Sequence, residues 1–206
     1  MPELTFAVER ATVTPFAMVP MLGFQLRVTN LPADETVHTA VVRCQIQLDV
    51  NRRQYDDEEA VKLRDLFGER DRWGSTLKSL LWTHVGVIIP SFTGETTIEM
   101  PVPCTFDFNV AATKYFYALK AGEVPLTLLF SGTVFYGQPL QVAPIAWDRE
   151  AQFRLPVPVW RDMMDQYYPN LAWLALRRDI FERLYRFKVA RGIPTWEQVM
   201  EEATRV

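Results

Sequence analysis

Strict alternation of apolar and polar residues dominates the first fifty positions, and it constrains the fold more than any other feature. Leu4, Phe6 and Val8 fall on one side of this pattern, and it restarts over residues 22–28 and 36–50. Successive side chains of a β-strand point to opposite faces, so the pattern predicts strands with one buried face each. Such strands, separated by turn residues, are typical of antiparallel sheets in a sandwich.

The third of these strands has the clearest assignment of faces. We predict that its inward residues are Ala40, Val42, Cys44, Ile46, Leu48 and Val50. The polar residues between them, Thr39, Arg43, Gln45 and Gln47, are predicted to face water. One residue of slippage would move the whole apolar set to solvent, so this register is strongly specified.

After residue 55 the spacing of apolar residues changes from two to about 3.6. Asp56 can cap a helix with Glu59 at the capping-box position, and Gly68 can end it. Residues 75–82 are predicted to form a second short helix. The pattern therefore predicts a helical hairpin, over residues of about 56–82, inserted between strands.

Further elements follow this insertion. Strands are predicted at 84–89, 96–102, 126–136, 141–147 and 152–155, with alternation at Phe106, Phe108 and Val110 and a helix over 111–120. The tail is predicted to be helical over 159–167, from a cap at Asn170 to about residue 190, and again after Thr195. An apolar stripe on the long tail helix must be buried on the sandwich or on another subunit; it comprises Trp173, Leu176, Ile180, Leu184 and Phe187.

These elements predict an α+β fold, namely an antiparallel β-sandwich with immunoglobulin-like layering, an inserted helical hairpin and a C-terminal helical cap. Residues 1–155 are expected to form the sandwich, and residues 156–206 the helices packed on it as one compact body. A single curved sheet wrapped by the helices is the alternative architecture. Self-association through a helix face is a further expectation.

Composition narrows the classes of function. Hydrophobic residues make up 49% and charged residues 23%, which is the range of globular chains. A net charge of −3 disfavours binding to nucleic acid or to an anionic membrane surface. No secretory signal and no membrane span is expected, and two cysteines are too few for a disulfide scaffold, so we predict a cytoplasmic protein.

The residues that could bind a metal are His38, Cys44, His84 and Cys104. Two cysteines and two histidines suit tetrahedral zinc, and His38 and Cys44 are predicted to share one strand face. No pair of them has the short spacing of compact zinc sites, so two buried thiols and two unrelated imidazoles are the preferred interpretation. No cofactor and no catalytic group is predicted.

Two segments are candidate partner surfaces. Arg70, Arg72 and Trp73 lie in a charged loop between glycines, and tryptophan and arginine are the residues most enriched in binding hot spots. The alternative is that Trp73 folds back onto the sandwich as a lid. Arg177 and Arg178 open a basic stretch of the tail, which is either a solvated helix face or a dock for an acidic protein.

Several strings along nearly the whole chain resemble one bacterial family. They are RCQI at 43–46, LFGE at 66–69 with WG at 73–74, LWTH at 81–84, PVPCTFDF at 101–108, LFSGTVF at 129–135, WD at 147–148 and GIPTW at 192–196. The family they resemble is an uncharacterised one associated with gene clusters of nickel–iron uptake hydrogenases. The resemblance implies an accessory role near such an enzyme, with hydrogenase subunits or maturation factors as protein partners.

We therefore expect a non-enzymatic accessory or adaptor protein that acts through protein–protein contacts. One alternative is a small metal-dependent or hydrolytic enzyme that uses the cysteine and histidine set. Another is a chaperone-like protein that holds apolar segments of other chains and exposes a broad apolar groove for them.

Overall fold

The computed structural model describes residues 1–105, 110–171, 174 and 176–204. Strands β1 to β9 comprise Glu3–Val13, Met21–Leu31, Thr36–Leu48, Leu80–Ile89, Phe92–Thr93, Glu95–Pro103, Glu123–Tyr136, Gln141–Pro144 and Glu150–Pro156. Helices α1 to α6 in the same described residues comprise Asp57–Phe67, Trp73–Thr76, Val110–Ala118, Val157–Tyr167, Arg178–Ala190 and Trp196–Thr204. The chain divides into two units, Met1–Pro169 and Asn170–Val206, so helix α4 belongs to the unit that holds the strands.

Two antiparallel sheets organise the first unit. The smaller sheet has the strand order β1-β2-β6, and the larger has the order β4-β3-β7-β8, with β5 paired to β3 and β9 paired to β7. Rings of the two sheets meet between them: Phe6 stacks on Phe130 with centroids 4.1 Å apart, and Phe24 lies 5.7 Å from Phe153. The prediction of an antiparallel β-rich fold with helices is confirmed, and the strands form two sheets instead of one curved sheet.

The faces of β3 follow the predicted register. All six predicted inward residues are fully buried, five of them on β3 and Val50 in the 3-10 turn that follows it, whereas Arg43 is exposed. A register shift between Val37 and Thr39 interrupts the pattern at His38. Val37 is fully buried, so Val37 and not His38 continues the buried series beyond Ala40.

Helix α1 begins and ends where its sequence signals predict. The Asp56 carboxylate accepts a hydrogen bond from the Glu59 backbone N–H at 2.8 Å, and Gly68 ends the helix with φ of 75°. The predicted helix over residues 75–82 is wrong, because α2 stops at Thr76 and residues from Leu80 onward pair with β3. The partner strand decides the conformation of that apolar run, which has no period of its own.

Helices α3 and α4 lie against the strands of the first unit. The Phe116 ring of α3 stacks on the Trp160 ring of α4 at 4.8 Å and lies 5.2 Å from Trp82 of β4. The predicted alternation at Phe106 and Phe108 falls outside the described residues, and Val110 begins α3. These contacts extend the core beyond the two sheets.

The second unit contains helices α5 and α6. The predicted helix start at Asn170 is wrong, because Asn170 has φ of 55° and α5 begins only at Arg178. Leu176 is therefore not helical, and Trp173 lies outside the described residues. The Thr195 hydroxyl caps α6 by accepting from the Gln198 backbone N–H, as predicted. Packing of these helices on the sheets stays a prediction.

Candidate interaction surfaces

The two cysteines are buried in separate places. Cys44 lies on the inward face of β3 with no exposed surface, and Cys104 follows β6 with 4% exposed. Burial raises the pKa of each thiol to about 12, because the thiolate would lose its hydration. Both are free thiols, and with so high a pKa they are protonated at neutral pH.

The two histidines do not join the cysteines. His38 Nε2 donates to the Gly137 carbonyl at 3.0 Å, and His38 lies at the irregularity of β3, where Val37 continues the buried series of Cys44. His84 lies exposed on the other side of the sheet, where its Nε2 donates to Gln45 Oε1 at 3.3 Å. Within the described residues, no three side chains of His, Cys, Asp or Glu come together as a metal site.

The Arg70–Trp73 segment is folded back against the protein. Trp73 Nε1 donates to the Gly68 carbonyl at 3.1 Å, and its ring lies edge-on to Tyr55 and Phe67 at 5.4 and 6.5 Å. Arg70 pairs with Asp57 at 2.5 Å and lies 5.9 Å from the Trp73 ring. Arg70 and Trp73 thus have internal partners, whereas Arg72, the third predicted side chain, is exposed and has none among the described residues.

Arg177 and Arg178 lie at the start of α5 in the second unit. Arg177 precedes the helix and pairs with Asp179 at 3.0 Å, and Arg178 is its exposed first residue. An exposed pair of this kind contributes little to stability, so both guanidinium groups are accessible to an acidic partner.

A buried ion pair that the sequence did not predict lies beside α1. Two nitrogens of Arg53 donate to the two carboxylate oxygens of Glu59, each at 2.9 Å, and the Lys120 backbone N–H donates to the same carboxylate at 2.9 Å. Arg53 also donates to the Ala121 carbonyl at 2.7 Å. A hydrogen bond from the Asp56 backbone N–H also lowers the pKa of Glu59, and this is the reciprocal contact of the predicted capping box.

The electrostatics of this ion pair assign it a structural role. Burial alone would raise the pKa of Glu59, but the hydrogen bonds from Arg53 and Lys120, together with the Arg53 charge, lower it below the ordinary value. The carboxylate is only 4% exposed, so it has no access to a substrate. It joins the segment before α1 to the turn between α3 and β7.

The loop between β1 and β2 presents two apolar side chains to solvent. Phe16 and Met18 are both fully exposed, and Phe16 has φ of 56°, a left-handed conformation that is unfavourable for a non-glycine residue. The Thr14 backbone N–H donates to the Met21 carbonyl at 3.0 Å, and the Tyr167 hydroxyl donates to the Ala17 carbonyl at 2.7 Å. We call residues 14–20 the hairpin tip.

The outer face of the larger sheet is a second surface that the sequence did not predict. Val41, Ile88 and Val142 on three different strands are 46%, 69% and 59% exposed. Val41 is directly opposite Ile88 in the pairing of β3 with β4, and Phe135 of β7 is opposite Val142 of β8. Exposed apolar side chains that form one patch are typical of contact surfaces.

The fold defines the class of protein: a β-rich chain of two antiparallel sheets with helices. The model of a family of unknown function, DUF6084, matches residues 1–205, and the chain belongs to that family. Comparison with curated proteins finds no match. No helix in the described residues is long and apolar enough to cross a membrane.

One solved structure with partial similarity is the CARDB domain of the PF1109 protein from Pyrococcus furiosus, determined in complex with di-metal ions. It is 13% identical over 75% of this chain and 92% of that chain, with a TM-score of 0.29.

Proposed function

We propose that this chain is a non-enzymatic accessory or adaptor protein that acts by binding another protein. The observation that supports this most directly is the hairpin tip, where Phe16 and Met18 are fully exposed on a loop held by two hydrogen bonds. A loop that is already ordered loses little conformational entropy on binding, so its apolar side chains can contribute most of their burial energy to affinity.

The chemistry around the tip favours a protein pocket over a membrane. Residues 11–26 carry no charge, so the tip offers no basic group to anionic lipid. Helix α4, which is tied to the tip through Tyr167, carries the exposed acids Asp162 and Asp165. The partner therefore presents an apolar pocket that receives Phe16 and Met18, with basic or neutral groups at its rim.

The system in which this adaptor works is proposed to be a nickel–iron hydrogenase, with a hydrogenase subunit or maturation factor as the partner in the cytoplasm. This is supported by the sequence resemblance described above and by a scaffold of two antiparallel sheets, since the loops of such scaffolds commonly serve binding. The metal-dependent or hydrolytic enzyme and the chaperone-like protein stay alternative predictions.

The test is affinity capture from cells that express a nickel–iron hydrogenase, with the wild-type chain and the Phe16→Ser/Met18→Ser variant as baits. We expect the wild type to recover a hydrogenase subunit or maturation factor and the variant to lose it, because both apolar anchors are gone. Val61→Ser is the matched control, since Val61 is an apolar residue 63% exposed on α1 and is not part of the tip. Recovery of none of these proteins by the wild type, or equal recovery by both baits, would overturn the proposal.

A further inference from the structure

The outer face of the larger sheet is apolar at one end and polar at the other. At the apolar end, Val41 lies between Ile88 of β4 and Thr133 of β7, and Phe135 and Val142 form the neighbouring row. Apolar side chains therefore reach across all four strands β4, β3, β7 and β8. Val41, Ile88 and Val142 are all exposed at this end.

The row of residues next to the apolar end contains Arg43 flanked by two residues with small side chains, and we call this row the low strip. Arg43 is exposed on β3, and its neighbours in register are Gly86 on one side and Ser131 on the other. A Cβ atom added at Gly86 would meet nothing within 4 Å, so the surface beside Arg43 is open. Among the described residues, no carboxylate pairs with Arg43.

The polar row beyond this strip carries unlike groups at its two ends. In register across the sheet it runs from His84 through Gln45 and Leu129 to Glu150. Glu150 is exposed, and the described part of the chain gives it no ion-pair partner. Arg43 and Glu150 lie two strands apart and two residues apart along the strands, about 12 Å between their backbones at ordinary spacing, and no ion pair joins them in the described structure.

We propose that this outer face binds a second copy of the same chain, face to face, about a twofold axis that runs parallel to the strands between β3 and β7. This axis keeps each row opposite the same row of the second copy, so the apolar ends cover each other. Arg43 of each copy then lies over Ser131 of the other, in the low strip. Glu150 of each copy comes between His84 and Arg43 of the other, which completes the charges that one copy leaves unpaired.

A twofold axis perpendicular to the strands through the middle of the face would place the apolar end of each copy on the polar row of the other and would bury unpaired polar groups. The same axis moved to the Val41 row would cover the apolar ends but would leave Arg43 and Glu150 without partners. Charge and hydrophobic pattern thus select the parallel axis. The aligned stacking that results is the ordinary geometry of packed sheets.

The size of the face sets the strength of this dimer. From Phe135 to Thr127 along β7, and across four strands, it measures about 27 Å by about 19 Å, or about 500 Å² for each copy. Stable interfaces bury about 800 Å² on each partner, and smaller ones belong to weak, reversible complexes. The expected dimer therefore dissociates on dilution.

Sedimentation equilibrium of the full chain over a range of concentrations tests the proposal. We expect a reversible monomer–dimer equilibrium for the wild type. For Val41→Glu, we expect a dissociation constant about thirtyfold or more higher, because each of the two copies buries one new carboxylate in the interface. Val61→Glu places the same charge on an exposed valine of α1 and should leave the equilibrium unchanged.

A charge exchange tests the orientation of the two copies. Arg43→Glu places two carboxylates together across the interface and should weaken the dimer, whereas Arg43→Glu/Glu150→Arg should restore it. The substituted positions are all exposed, so circular dichroism should show a native fold for every variant; they are Val41, Arg43, Val61 and Glu150. A wild type that stays monomeric overturns the proposal and leaves the face to another partner, and a dimer that Val41→Glu does not weaken or that the exchange does not restore overturns it as well.

Discussion

The segment beside α1 and the hairpin tip differ in whether their side chains have partners within the chain. Beside α1, Arg53, Glu59 and Arg70 all find partners within the chain, and the ring of Trp73 packs on its own neighbours. At the tip, Phe16 and Met18 find none and are fully exposed, although the backbone that carries them is held in place. Beside α1, arginine and tryptophan, which are typical of binding sites, therefore stabilise the fold. At the hairpin tip, Phe16 and Met18 are exposed to solvent instead.

The largest expected effect comes from breaking the buried ion pair. Glu59→Ala should lower the free energy of unfolding by about 3–5 kcal/mol, because it leaves the Arg53 guanidinium buried without its carboxylate. The loss of the acceptor for the Lys120 backbone N–H adds to this cost. Urea denaturation of the variant and the wild type measures the difference.

The neighbouring Glu58 provides the control for this variant. Its carboxylate pairs with Lys120 at 2.5 Å, but 73% of the Glu58 side chain is exposed. Glu58→Ala should therefore cost no more than about 1 kcal/mol. Equal losses for Glu58→Ala and Glu59→Ala would contradict the assignment of Glu59 as the structural partner of Arg53.

Acidification should reveal the same ion pair with a smaller effect. The pKa of Glu59 is lowered in the folded protein, so its contribution to stability is present above the ordinary glutamate pKa of about 4.3 and is lost as the pH falls through the folded value. The difference in unfolding free energy between the wild type and Glu59→Gln should shrink over that acidic range. If the difference in unfolding free energy stayed constant over the whole acidic range, the Glu59 carboxylate would not be stabilised by its ion pair with Arg53.

The sequence predicts those parts of the fold whose signals are local. The alternation on β3 predicted its buried face because a sheet repeats every two residues. Asp56 predicted the start of α1 because a cap needs only the N–H groups of the next turn. In contrast, residues 80–82 became a strand through pairing with β3, and such a long-range partner leaves no mark in the run itself.

The candidate surfaces were harder to predict for a related reason. Trp73 and Arg70 have the composition of a hot spot, but Tyr55 and Asp57 nearby in space decide whether they are displayed. The tip has no periodic pattern, so a search for helices and strands passes over it. The uncharged run over residues 11–26 is the signal that could have indicated it.

The smallest expected effect on stability has the opposite sign and separates function from folding at the tip. Phe16 adopts a left-handed conformation that asparagine tolerates better, and its side chain buries nothing. Phe16→Asn should therefore raise the free energy of unfolding by up to about 1 kcal/mol while it abolishes capture of the partner.

Met18→Asn is the matched control, because Met18 is equally exposed but has no left-handed backbone to relieve. Its free energy of unfolding should stay within about 0.5 kcal/mol of the wild type, and its capture of the partner should still fall. With these results, the native Phe16 lowers the free energy of unfolding, and its replacement impairs only binding. The hairpin tip is then maintained for its contacts with a partner and not for the fold. If Phe16→Asn destabilised the chain instead, Phe16 would be part of the packing, and the contrast between the two regions would fail.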